Sequence, residues 1–272
     1  MGLLEGKVAI ITGSGRGIGK AIATRFAKEG ASVVINDLDP KPAEETAEEI
    51  KALGVKAITC VGSVTDPEFP AKLMDTTIKG LGKLDIIVNN AGYTWDGVIQ
   101  NMTDEQWYAI IDVHLTAPFR IIRAATPYMR EVAKAEIKEG KRVQRKIINI
   151  SSIAGVLGNA GQANYSSAKA GVIGLTKTMS KEWGKFNVNV NAVAYGFVQT
   201  RLTGDKTEGA SIKVGDKDVA LGVPKAMIDS VPMMTSLGRA CTPEEAAGPV
   251  LFLASPLADY VTGELIMCSG GW

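Results

Sequence analysis

The sequence predicts an α/β fold in which one doubly wound parallel sheet carries helices on both faces. Short apolar runs rich in β-branched residues alternate along the chain with longer segments of helical periodicity. A glycine-rich turn stands between the first apolar run and the first helical segment, a position where such sheets bind ligands. The 272 residues, 46% of them hydrophobic, suit one large domain with a sizeable core.

Seven segments carry the pattern of strands buried on both faces, which is typical of a parallel sheet. They cover residues 7–11, 32–36, 57–61, 84–89, 146–150, 188–193 and 265–267. Two of the intervening helices begin with capping boxes, at 103–106 and at 242–245, the second with Pro243 at the first helical position. The chain shows no internal repeat and no interdomain linker, so we expect residues 1–272 to form a single domain.

A glycine-rich loop follows the first predicted strand and opens the first helix. Residues 12–19 read Thr-Gly-Ser-Gly-Arg-Gly-Ile-Gly, a spacing that differs from the common G-x-G-x-x-G fingerprint. Glycines let the backbone approach a pyrophosphate, and free N–H groups at a helix start bind its charge. A loop of this kind alone is also compatible with a tight turn. In its place between strand and helix, it predicts a Rossmann-type dinucleotide site formed by Gly13, Arg16, Gly17, Ile18 and Gly19.

The residue at the end of the second predicted strand indicates which dinucleotide binds. Asp37 follows the glycine loop by about twenty residues, where a carboxylate accepts both ribose hydroxyls of NAD and repels the 2′-phosphate of NADP. Arg16 in the glycine loop favours a phosphate instead. Because Asp37 would lie against the 2′ position itself, we expect NAD rather than NADP.

A tyrosine and a lysine four residues apart are the candidates for proton transfer. On a helix, Tyr165 and Lys169 would share one face, about one turn apart. An ammonium at that distance favours the phenolate and lowers the tyrosine pKa, which is about 10 in a free phenol. Ser152 could hold a carbonyl oxygen beside the phenol. With a hydride carrier these groups predict interconversion of an alcohol and a ketone; without one they would be surface neighbours.

Charge and cysteine content argue against several classes of function. Thirty basic and 29 acidic residues give a formal charge of +1, so nothing favours nucleic acid or an anionic membrane as a partner. No run approaches about 18 apolar residues, the length that spans a bilayer. Three cysteines without C-x-x-C spacing, and no apolar leader, fit a cytoplasmic protein. A single histidine excludes a histidine-rich site, and we expect no bound metal.

Taken together, these motifs resemble the short-chain dehydrogenase/reductase family. The resemblance extends from about Gly6 to the end of the chain. The segments that carry it are Thr12-Gly13-x3-Gly17-x-Gly19, Asn89-Asn90-Ala91-Gly92, Ser152, Tyr165-x3-Lys169 and Asn191-Ala192-Val193-Ala194-Tyr195-Gly196. Their order and spacing both match the family.

The resemblance implies further cofactor contacts, running from adenine to the nicotinamide. The family often has an acidic residue at adenine after the third strand, and Ser63 stands there in this chain. Tyr165 and Lys169 would bind the nicotinamide ribose. The remaining residues implied at the cofactor are Val64, Asn90, Ala91, Gly92, Val198 and Thr200.

The resemblance also implies a mechanism. Tyr165 would exchange a proton with the substrate oxygen, while Ser152 donates a hydrogen bond to that oxygen. Lys169 would lower the tyrosine pKa and anchor the ribose. Ser151 is expected to point away from the substrate if this segment is extended.

Two departures from the family pattern lie close to the predicted site. His114 stands where the family usually has an asparagine whose backbone helps to hold a water behind the lysine. A proton-relay role and a satisfied helical histidine with no chemical duty are both open interpretations. Tyr195 replaces the proline that usually follows the sixth strand, so we expect a bulky ring near the nicotinamide.

The resemblance is strongest to 3-oxoacyl-thioester reductases and to 3-hydroxyacyl-CoA dehydrogenases. Reductases of fatty-acid synthesis ordinarily prefer NADPH, so Asp37 favours a catabolic 3-hydroxyacyl-CoA or another secondary-alcohol dehydrogenase. A dehydrogenase of another secondary alcohol or cyclic ketone stays open. A non-catalytic dinucleotide sensor is a further alternative, against which the intact Ser152, Tyr165 and Lys169 speak.

Two segments interrupt the regular alternation of strands and helices. Residues 204–234 follow the sixth strand at the carboxyl edge and are expected to form a substrate lid, with a plain surface insertion as the alternative. Residues 130–145 carry mixed charges and are expected to be a solvated helix end and loop. The family resemblance implies a homotetramer, formed through the helix of Tyr165 and the last strand near Trp272.

Overall fold

The computed structural model describes residues 2–272, whose strands form one seven-stranded sheet and a separate two-stranded hairpin. The strands are β1 (Val8–Ile11), β2 (Ser32–Ile35), β3 (Ala57–Thr59), β4 (Ile86–Asn89), β5 (Arg145–Ser152), β6 (Val188–Tyr195), β7 (Ser211–Val214), β8 (Lys217–Ala220) and β9 (Leu265–Cys268). The large sheet has the order β3-β2-β1-β4-β5-β6-β9 and is parallel throughout. The predicted fold class is confirmed.

Helices cover both faces of this sheet. They are α1 (Gly17–Lys28), α2 (Pro40–Lys51), α3 (Phe69–Leu81), α4 (Asp104–Ile111), α5 (Ala117–Ala124), α6 (Thr126–Lys138), α7 (Ala154–Leu157), α8 (Ala163–Trp183), α9 (Lys225–Met234) and α10 (Pro243–Ala254). A π-helical turn, Asp112–Thr116, joins α4 to α5. The core on one face contains side chains of α1, α2 and α10, and the core on the other contains those of α3, α4, α5, α6 and α8.

The two cores arise from the alternation of side chains along each strand. Ile11 of β1 is buried with α1 and α10, whereas its neighbour Ile10 is buried with the helices of the opposite face. Val34 and Ile35 of β2 divide in the same way. Every residue of β1 is buried, which explains why its sequence is continuously apolar rather than alternating.

The strand order reverses at β1, which pairs with β2 on one side and with β4 on the other. The connections that leave these strands therefore separate at their carboxyl ends and leave a crevice between them. In doubly wound sheets this is the place where ligands bind. The glycine-rich loop after β1 and the Asn89–Gly92 motif after β4 both open onto it.

Strand boundaries differ from the predicted ones where pairing partners extend a strand. β5 and β6 pair over eight positions, the last of which joins Ser152 to Tyr195. The sequence pattern stopped at residues 150 and 193 because serine and the bulky Tyr195 interrupt the apolar run. Ser152 is consequently the last residue of β5, and its position is fixed by pairing with β6 rather than by a loop.

The predicted lid has regular structure of its own. Within residues 204–234 the chain forms the β7–β8 hairpin and then α9, after a short 3₁₀ turn at Lys206–Glu208. This hairpin is separate from the large sheet. Both predicted capping boxes are present: Thr103 with Gln106 and Thr242 with Glu245.

The charged segment 130–145 continues α6 to Lys138 and then loops to β5. Most of it is exposed, as expected for a solvated helix end and loop. Arg145 departs from that expectation because it is buried and pairs with Glu136 at 2.7 Å. Among residues 2–272 no helix is long and apolar enough to cross a membrane.

Candidate active site

A cavity of about 760 Å³ lies at the carboxyl ends of the strands. Its wall includes all the residues that the sequence predicted for the site: Gly13, Arg16, Gly17, Ile18, Gly19, Asp37, Ser63, Val64, Asn90, Ala91, Gly92, His114, Ser152, Tyr165, Lys169, Val198 and Thr200. The cavity therefore brings the candidate proton-transfer residues and the glycine-rich loop into one space. In the described part of the chain, no group of three or more His, Cys, Asp or Glu side chains is arranged to hold a metal.

The glycine loop has the shape that a bound pyrophosphate requires. Gly13 and Gly17 have φ of 63° and 53°, the left-handed region that favours glycine. A Cβ on Gly19 would lie 2.1 Å from the carbonyl oxygen of Gly13, so only glycine allows this approach. No side chain caps the start of α1, and its first residues, Gly17, Ile18 and Gly19, line the cavity, so their N–H groups are available to an anion.

Two polar side chains fasten this loop to the segment after β4. The Thr12 hydroxyl accepts hydrogen bonds from the N–H groups of Asn90 and Ala91 at 2.9 and 3.0 Å. The Asn90 amide donates to the carbonyl oxygens of Thr12 and Gly13 at 2.9 and 3.1 Å. The Asn90 side chain thus braces the cavity wall, and its contribution to ligand binding is through the position of the loop.

Asp37 lies at the end of β2 with its carboxylate against the glycine loop. One carboxylate oxygen accepts from the N–H of Gly15 at 3.0 Å, and the other accepts from the N–H of Asp39 at 3.2 Å. These bonds fix the carboxylate at the cavity edge and leave lone pairs for further donors. Asp37 is partly buried.

The other predicted cofactor residues line the wall through short loops. The Ser63 and Thr65 hydroxyls are 2.7 Å apart, so the serine that replaces the family's acidic residue is already engaged. Val198 lies at a bridge with Cys241. The N–H of Thr200 donates to the Thr203 hydroxyl at 3.0 Å, which closes the turn after β6.

Three consecutive residues at the end of β5 organise the candidate proton-transfer residues. The Lys169 ammonium donates to the carbonyl oxygen of Ile150 at 2.7 Å, and the Ser151 hydroxyl donates to the carbonyl oxygen of Lys169 at 2.8 Å. Ser152 follows directly in the strand. On α8, Tyr165 places its ring centroid 5.6 Å from the Lys169 nitrogen. Ser151, as expected, is directed to the α8 backbone.

Burial governs the titration of both groups on α8. Loss of solvent raises the pKa of Tyr165 to about 12, a shift that the Ser152 hydroxyl opposes and the Asp96 carboxylate increases. Loss of solvent likewise lowers the pKa of Lys169 to about 7. The pKa of Tyr165 is thus raised rather than lowered, because desolvation outweighs the Ser152 hydrogen bond. The phenol is therefore protonated at neutral pH.

His114 lies in the π-helical turn, with only 4% of its surface exposed. Its Nε2 is 2.7 Å from the carbonyl oxygen of Tyr93, which identifies Nε2 as the protonated nitrogen. Burial first, and the charge of Lys169 second, hold the pKa of His114 well below its usual range. The imidazole is thus neutral. Its Nδ1 is a buried acceptor with no partner in residues 2–272, and the ring meets the Tyr165 ring edge-on at 5.0 Å.

Tyr195, expected to place a bulky ring near the nicotinamide, lines the cavity, but its ring is largely buried. The ring is 4% exposed and packs in the core beneath α10. Its hydroxyl donates to the carbonyl oxygen of Ala246 at 2.6 Å. Tyr195 is the last residue of β6, and the alternation of the strand directs its side chain into the core.

A carboxylate–amide pair in the cavity wall, Asp96 with Gln162, was not predicted from the sequence. The Gln162 amide donates to both oxygens of Asp96 at 3.1 Å, and the N–H of Gly97 donates to the carbonyl oxygen of Gly161 at 2.8 Å. The pair joins the loop after β4 to the loop before α8. The sequence feature that could have pointed to this pair is the position of Asp96, which follows the Asn89–Gly92 motif closely and so lies at the same edge of the sheet.

The β7–β8 hairpin and α9 contribute to the cavity wall. Ile212 and Val214 of β7 and Met227 of α9 line the cavity. Lys217, at the start of β8, pairs with Glu105 and lies 5.8 Å from the Trp95 ring. The hairpin is therefore tied to the start of α4.

Comparison with known proteins gives one consistent result. The model of the short chain dehydrogenase family matches residues 7–211. The chain is 39% identical over 268 residues to the 3-oxoacyl-[acyl-carrier-protein] reductase FabG of Thermotoga maritima, with 98% of each chain covered. It is also 39% identical over 268 residues to the FabG of Vibrio cholerae, with 98% of each chain covered. The identity to the 3-oxoacyl-[acyl-carrier-protein] reductase of Synechocystis is again 39%, over 273 residues, with 100% of this chain and 98% of that protein covered.

A solved structure supports the same relationship. It is that of a 7α-hydroxysteroid dehydrogenase in complex with NADH and 7-oxo glycochenodeoxycholic acid. The two structures superpose with a TM-score of 0.84 and are 30% identical in sequence. The match covers 98% of this chain and 94% of that one.

Proposed function

Because the chain belongs to the short-chain dehydrogenase family, it is an oxidoreductase acting on CH–OH groups, and we propose that it interconverts 3-hydroxyacyl and 3-oxoacyl thioesters with NAD. The observation that carries the proposal is the meeting of Ser152, Tyr165 and Lys169 in the same cavity as the glycine loop. The relatives named 3-oxoacyl-[acyl-carrier-protein] reductases support the thioester as substrate.

The residues at one end of the cavity fit a nicotinamide dinucleotide, which would supply the hydride chemistry when bound. Gly13, Gly17 and Gly19 and the uncapped start of α1 would hold its pyrophosphate. The Asp37 carboxylate would accept the adenosine ribose hydroxyls and repel a 2′-phosphate. Ser63, Val64 and the 90–92 loop would surround the adenine side, and Val198 and Thr200 the nicotinamide side.

Tyr165 would act as the proton donor in reduction and as the acceptor in oxidation. Its high pKa keeps the phenol protonated, which is the form that reduction of a ketone needs. Ser152 would donate a hydrogen bond to the substrate oxygen and stabilise the charge that develops on it. Protonated Lys169 would favour the phenolate that remains after proton transfer.

His114 would serve as an acceptor on the proton path rather than as an acid or base. A neutral imidazole with Nε2–H bonded to Tyr93 offers only the lone pair of Nδ1. A water held there would donate a hydrogen bond to this buried nitrogen, which otherwise accepts none. The pKa of His114, well below neutrality, keeps it in this form.

A second substrate class has support from one observation. The solved 7α-hydroxysteroid dehydrogenase, 30% identical to this chain, is described with a cyclic ketone bound. Apolar side chains of the lid, Ile212, Val214 and Met227, suit an acyl chain or a steroid ring alike. We favour the thioester because the relatives of higher identity carry that name.

The wider organisation of the protein completes the proposal. Residues 1–272 would act as one domain, with 204–234 as the substrate lid. A homotetramer has support in the position of β9 at the sheet edge, where Met267 is 43% exposed. Free cysteines at positions 60, 241 and 268 fit a cytoplasmic location.

The proposal is tested by steady-state kinetics with NADH and NADPH on acetoacetyl-CoA and on a cyclic ketone. We expect kcat/KM for acetoacetyl-CoA to be at least about tenfold higher with NADH than with NADPH, because Asp37 opposes the 2′-phosphate. A preference for NADPH would contradict the cofactor assignment. Faster turnover of the cyclic ketone would instead favour the second substrate class.

The pH dependence of reduction should report Lys169. Tyr165, with a pKa of about 12, stays protonated throughout the working range, whereas Lys169 loses its proton near its pKa of about 7. Because the ammonium aids proton donation, kcat/KM in reduction should fall as pH rises through about 7. In Lys169→Arg the residual activity should lack this inflection, since a guanidinium keeps its proton. A flat profile between about pH 6 and about pH 9 in the unaltered enzyme would contradict this role.

A further inference from the structure

The corner where the glycine loop meets the start of α2 is unusually rich in charge. A second recess there adjoins the main cavity and is lined by Arg16, Lys20, Asp39 and Lys41, among others. Arg16 and Asp39 also line the main cavity, on the side of Asp37. Three cations at such a corner would by themselves suit a phosphate group.

Each of these three cations is paired with a carboxylate of α2 or its N-cap. Arg16 Nη1 is 2.7 Å from Asp39 Oδ2. Lys20 lies 2.8 Å from Glu49, and Lys41 lies 3.9 Å from Glu45. The positive charge of the corner is therefore neutralised from the side of α2.

The Asp39 carboxylate is directed to Arg16 and not to the start of α2. Asp39 is the N-cap residue of α2, where an aspartate ordinarily accepts hydrogen bonds from the first N–H groups of the helix. Pro40 and Pro42 occupy the first and third helical positions and have no N–H to donate. Lys41, at the second position, has an N–H, but the Asp39 carboxylate makes no capping bond to it. Its backbone is held at the same time by the bond from its N–H to Asp37.

We propose that Asp39 is a second determinant of dinucleotide choice, which acts by occupying Arg16. The inference rests on the proposed use of NAD. Asp37 repels a 2′-phosphate directly, while Asp39 prevents Arg16 from binding one and adds a second negative charge beside it. The side chains of Arg16 and Asp39 are 42% and 53% exposed, so their pairing contributes little to stability. Its effect should appear in ligand binding.

The test is calorimetric binding of two adenosine fragments that need no turnover, 5′-AMP and 2′,5′-ADP. In Asp39→Asn, affinity for 2′,5′-ADP should rise about tenfold, because a freed guanidinium binds the 2′-phosphate with charge-assisted hydrogen bonds. Affinity for 5′-AMP should change by less than about twofold. The gain should disappear when Arg16→Gln is added to Asp39→Asn.

Glu45→Gln is the matched control, since it removes one exposed carboxylate from the same corner without releasing Arg16. An equal gain in this variant, no gain in Asp39→Asn, or a gain that survives Arg16→Gln would overturn the inference. A failure of the NAD proposal itself would give a result that can be distinguished from these outcomes. It would appear as unaltered protein that binds 2′,5′-ADP at least as tightly as 5′-AMP.

Discussion

Replacing Tyr165 with phenylalanine should reduce kcat in ketone reduction by about 10³-fold or more, because the variant loses the proton donor. The ring remains, so its edge-on contact with His114 at 5.0 Å is kept. Affinity for NADH, measured by fluorescence titration, should stay within about threefold, since the glycine loop and Asp37 are unchanged. The loss should therefore appear in turnover and not in cofactor binding.

Tyr108→Phe is the matched control for this variant. Tyr108 lies on α4, is 67% exposed and takes no part in the cavity wall described above. Its replacement should leave kcat within about twofold. Turnover by Tyr165→Phe at the rate of the Tyr108→Phe control would refute the proposed proton donor.

Replacing Gly92 with alanine should destabilise the protein by about 1–3 kcal/mol, the usual cost of overpacking a core. The added Cβ would lie 2.0 Å from Cε1 of His114 and 2.6 Å from its Nδ1. His114 cannot easily move away, because it is buried and bonded to Tyr93. Chemical denaturation measures the change, and dinucleotide affinity should fall with it, as Gly92 lines the cavity.

The same loop provides the control. A Cβ on Gly97 would meet nothing closer than 3.6 Å, so Gly97→Ala should alter the free energy of unfolding by less than about 0.5 kcal/mol. Adding His114→Ala to Gly92→Ala opens space for the new methyl group, and the double variant should be more stable than the sum of the two single effects predicts. Equal stability of Gly92→Ala and Gly97→Ala would contradict the steric argument.

The fold could be predicted because local pattern and global architecture agree in this chain. β1 is buried on both faces and reads as an unbroken apolar run, and the glycine loop follows it at once. Capping boxes at Thr103 and Thr242 mark helix starts through local hydrogen bonds alone. The end of β5 was less predictable, because the pairing of Ser152 with Tyr195 depends on a distant strand.

The residues that line the cavity could also be predicted from the sequence, but the pKa values and side-chain pairings of these residues could not. Tyr165 and Lys169 were placed together by helical spacing, yet the direction of the tyrosine pKa depends on burial, which spacing does not reveal. The pairing of Asp39 with Arg16 joins segments 23 residues apart. The unpartnered Nδ1 of His114 likewise follows from the orientation of one ring.

The anchoring of Lys169 to the end of β5 has a consequence for how this enzyme can change. Its ammonium and its backbone are both bonded to the strand that carries Ser152, so the proposed proton-transfer residues are held together by one strand and one helix. Part of the cavity wall comes from β7 and α9, which lie outside the large sheet. Under the proposed function, substrate range can therefore diverge through insertions and exchanges in that outer segment, while the arrangement of Ser152, Tyr165 and Lys169 is kept.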